Sequence, residues 1–211
     1  MQPYIITVAQ QKGGAGKSTL VAHLGVAFAK MGMKVALIDT DPQQTITNWG
    51  NIRQSSKFID KLPLEVTNAA GWKVNNEISK LNKFDLIIID SPPHMETETK
   101  SAIRSANLVI VPCQPSPNDL WATDKTLEII NKEGKQKALV LNRCPYQSKL
   151  LKHVESYFSQ DLIRYSLGNR VAFASAMLVG LTAIELEANS VATNEVLQIA
   201  QNLYNSFLKK K

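Results

Sequence analysis

The chain has 211 residues, 44% of them hydrophobic, and a formal net charge of +6. This length fits one domain, predicted to span residues 1–211, with a sizeable core. No apolar stretch reaches the roughly 18 uninterrupted residues of a membrane span, and the N-terminus lacks the pattern of a secretory signal. With only Cys113 and Cys144 there is no disulfide framework, so a cytoplasmic protein is expected.

Short β-rich apolar runs alternate with helical patterns along the chain. Five runs are rich in Ile, Leu and Val, as is typical of strands that are covered on both faces of a parallel sheet. They are Tyr4–Ala9, Val35–Asp39, Phe84–Asp90, Leu108–Pro112 and Ala138–Asn142. Leu64–Thr67 and Ile163–Leu167 are weaker candidates for further strands.

Apolar residues at helical spacing fill the gaps between these runs. The predicted helices are Lys17–Met31, Trp72–Leu81, Asp119–Glu133, Ser148–Phe158 and Thr193–Leu208. Trp121, in the third of them, is predicted to pack in the core, with a surface that binds a partner as the alternative. The polar segment Thr40–Pro63 is either partly helical or a mobile functional loop. Strand–helix–strand repetition predicts an α/β fold, a single doubly wound, mostly parallel sheet with helices on both faces.

The strongest chemical signal follows the first predicted strand. There, ahead of a predicted helix, the chain reads Lys12-Gly13-Gly14-Ala15-Gly16-Lys17-Ser18-Thr19. Glycines allow backbone N–H groups to point at phosphate oxygens, and the following helix adds its positive end. Lys17 is predicted to contact the β- and γ-phosphates, Ser18 a Mg²⁺ ion and Thr19 the α-phosphate. Gln11 stands where the usual phosphate-loop pattern begins with glycine, but the strand–loop–helix context still indicates a nucleotide site.

Acidic residues end two other predicted strands. Asp90 closes the run Phe84–Asp90, and a carboxylate at this tip of a parallel strand faces the crevice where ligands bind. Its predicted role is to hold Mg²⁺ through water. Asp39 and Asp41 follow the second strand, spaced to lie on one side of an extended backbone. One is suited to support Mg²⁺ and the other to position a water molecule, although Pro42 also fits a simple strand-end turn.

Together these motifs resemble the ParA/MinD family of deviant Walker A ATPases. The loop that begins at Lys12 resembles the family's deviant Walker A motif, Asp39–Gln43 its Walker A′ element and Ile87–Asp90 its Walker B motif. The prolines after the fourth long apolar run, at 112, 115 and 117, add to the resemblance. The order of motifs agrees over roughly residues 4–145. The resemblance implies binding of ATP and Mg²⁺ and a homodimer that forms with ATP.

The resemblance also implies individual roles. Lys12 would reach across the dimer interface to the partner's nucleotide, which places it with Lys17 and Asp41 among the catalytic residues. Asp41 would position the attacking water, and Asp39 would support Mg²⁺. Asn142 stands where relatives recognise adenine, and its amide can donate and accept, although a strand-end turn is the alternative. No arginine finger is evident, so slow, partner-stimulated hydrolysis is expected.

The region from Lys132 to Arg170 carries eight basic residues against three acidic ones. Such a region can bind nucleic acid through phosphate contacts, or it can simply be a solvated surface. The candidate DNA contacts are Lys149, Lys152, Arg164 and Arg170. With little sequence before Tyr4, the chain resembles the small ParA subtype. The resemblance to that subtype implies an ATP-bound dimer that would bind DNA nonspecifically, associate with the nucleoid and move a plasmid, chromosome region or protein cargo with an adaptor protein.

Two other functions stay open at this point. A MinD-type membrane switch would end in a basic amphipathic helix, and Val196–Leu208 followed by three lysines fits that description. The same apolar residues would equally pack a final helix on the sheet, so membrane binding is the weaker interpretation. A metabolic enzyme on this fold, such as a ligase or an iron–sulfur reductase, is the other alternative, and the cluster-bearing relatives bridge a metal cluster with two cysteines per subunit. Cys113 and Cys144 are expected to be buried instead.

Overall fold

The protein was analysed as a computed structural model, which describes residues 2–56, 62–93, 96–145, 154, 156–158 and 162–209. Its strands are β1 Tyr4–Val8, β2 Val35–Asp39, β3 Leu64–Asn68, β4 Leu86–Asp90, β5 Leu108–Cys113, β6 Gln136–Cys144 and β7 Ile163–Gly168. They form one seven-stranded sheet in the order β3-β2-β4-β1-β5-β6-β7. Every described pairing between them is parallel.

Helices connect and cover these strands. They are α1 Lys17–Lys30, α2 Thr45–Ser55, α3 Val74–Lys80, α4 Glu96–Ser105, α5 Pro117–Lys132, α6 Val171–Leu178, α7 Ala183–Leu186 and α8 Val191–Leu203. A 3₁₀ turn, Gly71–Lys73, precedes α3, and a π-helical turn, Tyr204–Leu208, follows α8. Over the described part of the chain, no helix has the length and apolar character to cross a membrane.

The two faces of the sheet carry separate apolar cores. On one face, Leu37 and Ile88 belong to a core shared with α1, α2 and α8. On the other face, Ile38 and Ile89 pack with residues of α3 and α4, and Val109 packs with residues of α4 and α5. Side chains of a strand alternate between faces, so apolar cover on both sides requires the continuous apolar runs seen in the sequence.

The predicted fold class is confirmed, and all seven predicted strands are present with shifts of a few residues at their ends. The largest shift is in β6, which extends from Gln136 to Cys144. Within Thr40–Pro63, the partly helical alternative is confirmed, because α2 covers Thr45–Ser55. The predicted helix Ser148–Phe158 lies mostly outside the described residues, although Val154 and Phe158 are buried.

Several local predictions differ from the structure. The helices α4, α6 and α7 are not predicted by the apolar pattern, since α4 opens with a polar turn and α6 is apolar on most sides. The prediction that Trp121 packs in the core is wrong, because 60% of this residue is exposed. The inward side of α5 is partly polar, with Thr123 and Thr126 buried. Polarity therefore does not distinguish the two sides of this helix.

Candidate functional site

The loop between β1 and α1 curls over the start of α1. Gly14 and Gly16 have φ angles of 76° and 93°, a left-handed conformation that glycine adopts without strain. A Cβ atom on Gly16 would also collide with the side-chain amide of Asn142. The helix begins at Lys17, and the first N–H groups of a helix have no intrahelical partner. The loop can therefore direct backbone donors and a positive helix end at an anion.

Lys17 lies at the base of this loop and is only 6% exposed. Burial lowers its pKa, while the carboxylates of Asp90 and Asp41 oppose that shift. The ammonium group is thus held among acidic groups from two neighbouring strand ends. This is the position that the sequence predicts for a phosphate-binding lysine.

The sheet topology brings the acidic residues to the same place. Asp39 on β2 and Asp90 on β4 are in-register neighbours, and Asp90 also lies opposite Val8, the last residue of β1 before the phosphate loop. Both aspartates are almost completely buried. Their convergence follows from the strand order, because β4 lies between β1 and β2.

Both carboxylate oxygens of Asp39 accept hydrogen bonds from the segment that joins β2 to α2 and from the first turns of α2. Its carboxylate accepts hydrogen bonds from the Asp41 backbone N–H at 3.1 Å, the Thr47 N–H at 2.8 Å and the Thr47 hydroxyl at 2.9 Å. These contacts fix the start of α2 against the end of β2. The structure therefore gives Asp39 an evident role in shaping the loop, beside its predicted role near Mg²⁺.

Asp90 has the opposite environment. Neither of its carboxylate oxygens has a hydrogen-bond partner among the described residues. Burial raises its pKa to about 7, and the nearby charges of Asp39 and Asp41 add to the rise, while Ser18 and Lys17 oppose it. A buried carboxylate whose oxygens accept no hydrogen bond is costly unless a cation or donor completes its environment. Asp90 and the Ser18 hydroxyl offer oxygen ligands that suit Mg²⁺ held jointly with phosphates.

Asp41 lies at the mouth of this group and is less buried than Asp39 or Asp90. Its Oδ1 accepts a hydrogen bond from the Gln43 N–H at 2.9 Å, which forms a local turn. It lines an open cavity of about 250 Å³ together with Asp39 and Glu98. Asp41 therefore combines the predicted turn with a carboxylate that solvent water can reach.

Asn142 forms the other wall of the phosphate loop. Its Nδ2 donates to the Ala15 carbonyl at 2.8 Å, and its Oδ1 accepts from the Arg143 N–H at 2.9 Å. Arg143 has a φ of 53°, a left-handed conformation that is uncommon outside glycine and is often found at functional sites. Asn142 and Arg143 line a cavity of about 280 Å³ that also contacts Gly16 and Thr19. The cavity thus adjoins the phosphate loop and the first turn of α1.

The candidate DNA contacts are not brought together by the described structure. Arg170 lines the same cavity as Asn142, and its guanidinium group binds the Glu195 carboxylate in a bidentate pair with N–O distances of 2.6 and 2.9 Å. Lys149 and Lys152 lie outside the described residues. Arg164 lies in β7, and only its backbone is described. Asn169, which also lines the cavity, was missed, although a polar residue after a parallel strand is a usable signal.

Lys12 contacts its own chain. Its Nζ forms an ion pair with the carboxylate of Asp119 in the first turn of α5. Next to it, the buried Gln10 amide donates to the Pro112 carbonyl at 3.1 Å and to the Thr123 hydroxyl at 2.8 Å, and accepts from the Thr126 hydroxyl at 2.9 Å. These contacts attach the start of the phosphate loop to α5. Sequence reasoning missed Asp119, since an acidic residue at a helix start is usually a cap.

Two buried polar groups connect the helices near the site to the C-terminal elements. The His23 ring contacts the Thr19 carbonyl through Nδ1 at 2.8 Å, and its Nε2 accepts from the Ala183 N–H at 3.0 Å. Burial lowers the pKa of His23 to about 4, so the ring is neutral. Arg53 of α2 binds the Glu185 carboxylate with N–O distances of 2.6 and 2.9 Å. These groups support the site without lining it.

The fold and this site were compared with known proteins. The model of the CobQ/CobB/MinD/ParA nucleotide binding domain matches residues 6–199. The Halothiobacillus neapolitanus maintenance of carboxysome distribution protein A is 26% identical over 96% of this chain and 97% of its own length. Protein ParA of Rhizobium radiobacter is 28% identical over 61% of this chain and 57% of its own length.

Solved structures agree on the fold. The MinD protein of Pyrococcus horikoshii in complex with Mg-ADP has a TM-score of 0.78 at 21% identity and covers 95% of this chain and 96% of its own. An ATP complex of a Cyanothece McdA variant has a TM-score of 0.79 at 18% identity and covers 97% of both chains. The resemblance that the motifs indicate is therefore confirmed, and the chain belongs to the CobQ/CobB/MinD/ParA family of nucleotide-binding domains.

Proposed function

We propose that this chain is a single-domain ParA-type ATPase that uses ATP and Mg²⁺ to form a homodimer. In the ATP-bound state it would bind DNA nonspecifically and position a cargo, with hydrolysis stimulated by an adaptor protein. The observation that carries this proposal is a phosphate loop with two lysines, Lys12 and Lys17, beside the convergent carboxylates of Asp39, Asp41 and Asp90. Family membership supports the ATPase activity, because ParA and MinD proteins are nucleotide-binding ATPases.

Each residue has one part in this proposal. Lys17 and the backbone of Gly13–Gly16 hold the phosphates, with Thr19 beside them. Ser18 and Asp90 hold Mg²⁺, which when bound neutralises phosphate charge. Asp39 supports the metal environment by fixing the loop that carries Asp41. Asp41 positions the attacking water, and Lys12 leaves its own chain to contact the partner's nucleotide. Asn142 lines the pocket for the base.

Cargo positioning is supported by similarity rather than by a contact. The carboxysome distribution protein of Halothiobacillus neapolitanus matches nearly the whole chain, while the ParA relative matches a part of it. A protein assembly is thus as suitable a cargo as a plasmid or chromosome region. The proposed location is the cytoplasm, in association with the nucleoid, because the DNA-bound dimer would collect there.

Nonspecific DNA binding is the least supported part of the proposal. Its candidates remain Lys149, Lys152, Arg164 and Arg170, although the guanidinium of Arg170 is already bound to the Glu195 carboxylate. A net charge of +6 supports attraction to a polyanion. Binding that depends on lysine and arginine contacts to phosphates must weaken steeply with salt.

The competing functions have less support. Leu203 and Leu208 are buried in the core, so the apolar side of the last helix is used for packing rather than for membrane contact. Cys113 and Cys144 are also buried, and burial raises the pKa of the Cys113 thiol to about 11. Thiols in such positions are poor ligands for a shared metal cluster.

Light scattering of the purified chain with ATP analogue and Mg²⁺ tests the proposal. The wild-type chain should be a dimer with a non-hydrolysable triphosphate and a monomer with ADP. Lys12→Ala should bind nucleotide but stay monomeric, and Asp41→Ala should remain a dimer with ATP because its water is no longer positioned. A DNA shift assay with ATP, ADP and no nucleotide should show ATP-dependent binding. A wild-type chain that stays monomeric would refute the proposal.

A further inference from the structure

The contact between Lys12 and Asp119 joins the phosphate loop to the first turn of α5. The Lys12 side chain is 37% exposed, whereas the Asp119 side chain is 2% exposed. The second oxygen of this carboxylate, Oδ1, is buried and has no hydrogen-bond partner among the described residues. The lysine is therefore the counter-charge of a nearly buried anion, and not a solvated surface lysine.

Asp119 has other support besides Lys12. Ser116 is the N-cap of α5, and its hydroxyl donates a hydrogen bond to the Asp119 carboxylate at 2.5 Å. The same hydroxyl accepts a hydrogen bond from the Asp119 backbone N–H at 3.3 Å. The carboxylate also lies in the first turn of α5, where the helix end favours negative charge. When Lys12 moves away, the anion keeps a hydroxyl donor and the helix end. The ion pair can thus open without leaving the charge wholly uncompensated.

The phosphate-loop backbone before and after Lys12 is held by hydrogen bonds to α5 and to the segment that precedes it. Gln10 ties the end of β1 to Thr123 and Thr126 of α5, and the Gln114 side chain donates to the Gly14 carbonyl at 2.8 Å. Only the Lys12 side chain has freedom to exchange partners, since it is partly exposed and flexible. Lys12 thus has two possible counter-charges, Asp119 of its own chain and the phosphates of a second copy.

We infer that Asp119 is a positioning residue that holds Lys12 on its own chain and opposes the pairing of two copies until a triphosphate competes for the lysine. This inference rests on the proposed nucleotide-dependent dimer. In this arrangement ADP, which has less negative charge, competes less well than ATP for Lys12. Breaking the Lys12–Asp119 ion pair therefore adds a free-energy cost to dimer formation. This cost does not depend on how tightly each chain binds its own nucleotide.

Replacing Asp119 by asparagine tests this inference, because the amide keeps the size of the side chain and removes the charge. With a non-hydrolysable triphosphate and Mg²⁺, Asp119→Asn should dimerise at about tenfold lower protein concentration than the wild type. Ser116→Ala is the matched control, since it removes the cap but leaves the ion pair; it should not strengthen the dimer. In a Lys12→Ala background, Asp119→Asn should have no further effect. Unchanged or weaker dimerisation of folded Asp119→Asn would overturn the inference.

A second measurement separates this inference from the proposed function. Amine labelling of the nucleotide-free chain with an acetylating reagent, followed by mass spectrometry, reports how firmly Lys12 is held without requiring a dimer. Asp119→Asn should increase labelling of Lys12 several-fold relative to Lys125, which lines a surface pocket together with Lys12, while Ser116→Ala should not. Equal labelling in wild type and Asp119→Asn would refute the holding contact. A monomeric wild type with increased labelling in the variant would refute the proposed dimer and the control of pairing by Asp119, and it would support only the contact that holds Lys12.

Discussion

Charged groups are buried in two regions with different environments: the carboxyl end of the sheet, and the C-terminal face, where α1 and α2 contact the elements that follow β7. At the sheet end, Asp90 is fully buried and has no hydrogen-bond partner among the described residues. On the other face, Arg53 is 8% exposed and is bound by the Glu185 carboxylate, the Gly180 carbonyl at 3.1 Å and the face of Trp49 at 5.2 Å. An incomplete environment marks a ligand site, and a complete one marks a structural contact.

This comparison predicts that substitutions at the sheet end alter ligand binding and those on the C-terminal face alter stability. The largest expected effect is that of Lys17→Ala, which should abolish detectable ATP binding because no other described group can replace its buried ammonium. Its thermal unfolding midpoint without nucleotide should change less than that of Arg53→Ala, because burial already disfavours the charged form of Lys17. Titration calorimetry and thermal unfolding of the same sample measure both. Loss of folding together with binding would contradict the separation of the two regions.

Arg53→Ala should have the next largest effect, on stability. It removes the counter-charge of a largely buried Glu185 and should lower the free energy of unfolding by about 3–5 kcal/mol. Urea unfolding followed by circular dichroism measures this change. Lys80→Ala breaks an exposed ion pair with Glu77 on α3 and is the matched control, with a loss of at most about 1 kcal/mol. Equal losses in the two variants would contradict the structural role of Arg53.

Because His23 is buried as a neutral ring between α1 and the C-terminal elements, the free energy of unfolding should depend on pH. Its pKa of about 4 in the folded chain lies below the ordinary 6.5, so the unfolded chain binds the proton first as the pH falls. The resulting stability is present above pH 6.5 and is lost toward pH 4, by up to about 3 kcal/mol. Urea unfolding at several pH values should show a smaller pH slope in His23→Gln. An unchanged slope would mean that the ring is not buried as a neutral base.

The smallest expected effect compares two neighbouring aspartates. Without Mg²⁺ and nucleotide at pH 8, Asp90→Asn should raise the free energy of unfolding by about 1–3 kcal/mol, because burial disfavours the charged carboxylate more than Lys17 and Ser18 favour it. Asp39→Asn should lower it by a similar amount, since an amide cannot accept all the hydrogen bonds from Asp41 and Thr47. Urea unfolding of both variants measures the difference. If the free energy of unfolding changed in the same direction in both variants, the contrast between Asp90, whose oxygens accept no hydrogen bond among the described residues, and the hydrogen-bonded Asp39 would be contradicted.

Much of the site at the sheet end was predictable because its signals are local. The phosphate loop, Asp39 and Asp90 each follow a continuous apolar strand, and parallel strands place their carboxyl ends together. The membership of Lys12 in the loop was equally visible. Its contact with Asp119 was not, since 107 residues separate the two and the acidic residue has an ordinary local explanation as a helix cap.

The C-terminal face was much harder to predict. Arg170 looked like a surface cation, but Glu195 lies 25 residues away in the chain and binds it. Arg53 and Glu185 meet across 132 residues. The helices α6 and α7 have weak patterns of their own, and they are defined by what they pack against. Sequence periodicity reports which side of an element is buried, but it does not report which polar groups are paired there.

The buried Gln10 side chain has a consequence for how this chain can vary. Its amide uses both ends at once, with donors for the Pro112 carbonyl and Thr123 and an acceptor for Thr126. Any residue that replaces Gln10 must either reproduce all three contacts or be accompanied by changes at both threonines. We therefore expect positions 10, 123 and 126 to covary among homologous chains, with either a polar set or an apolar set at all three.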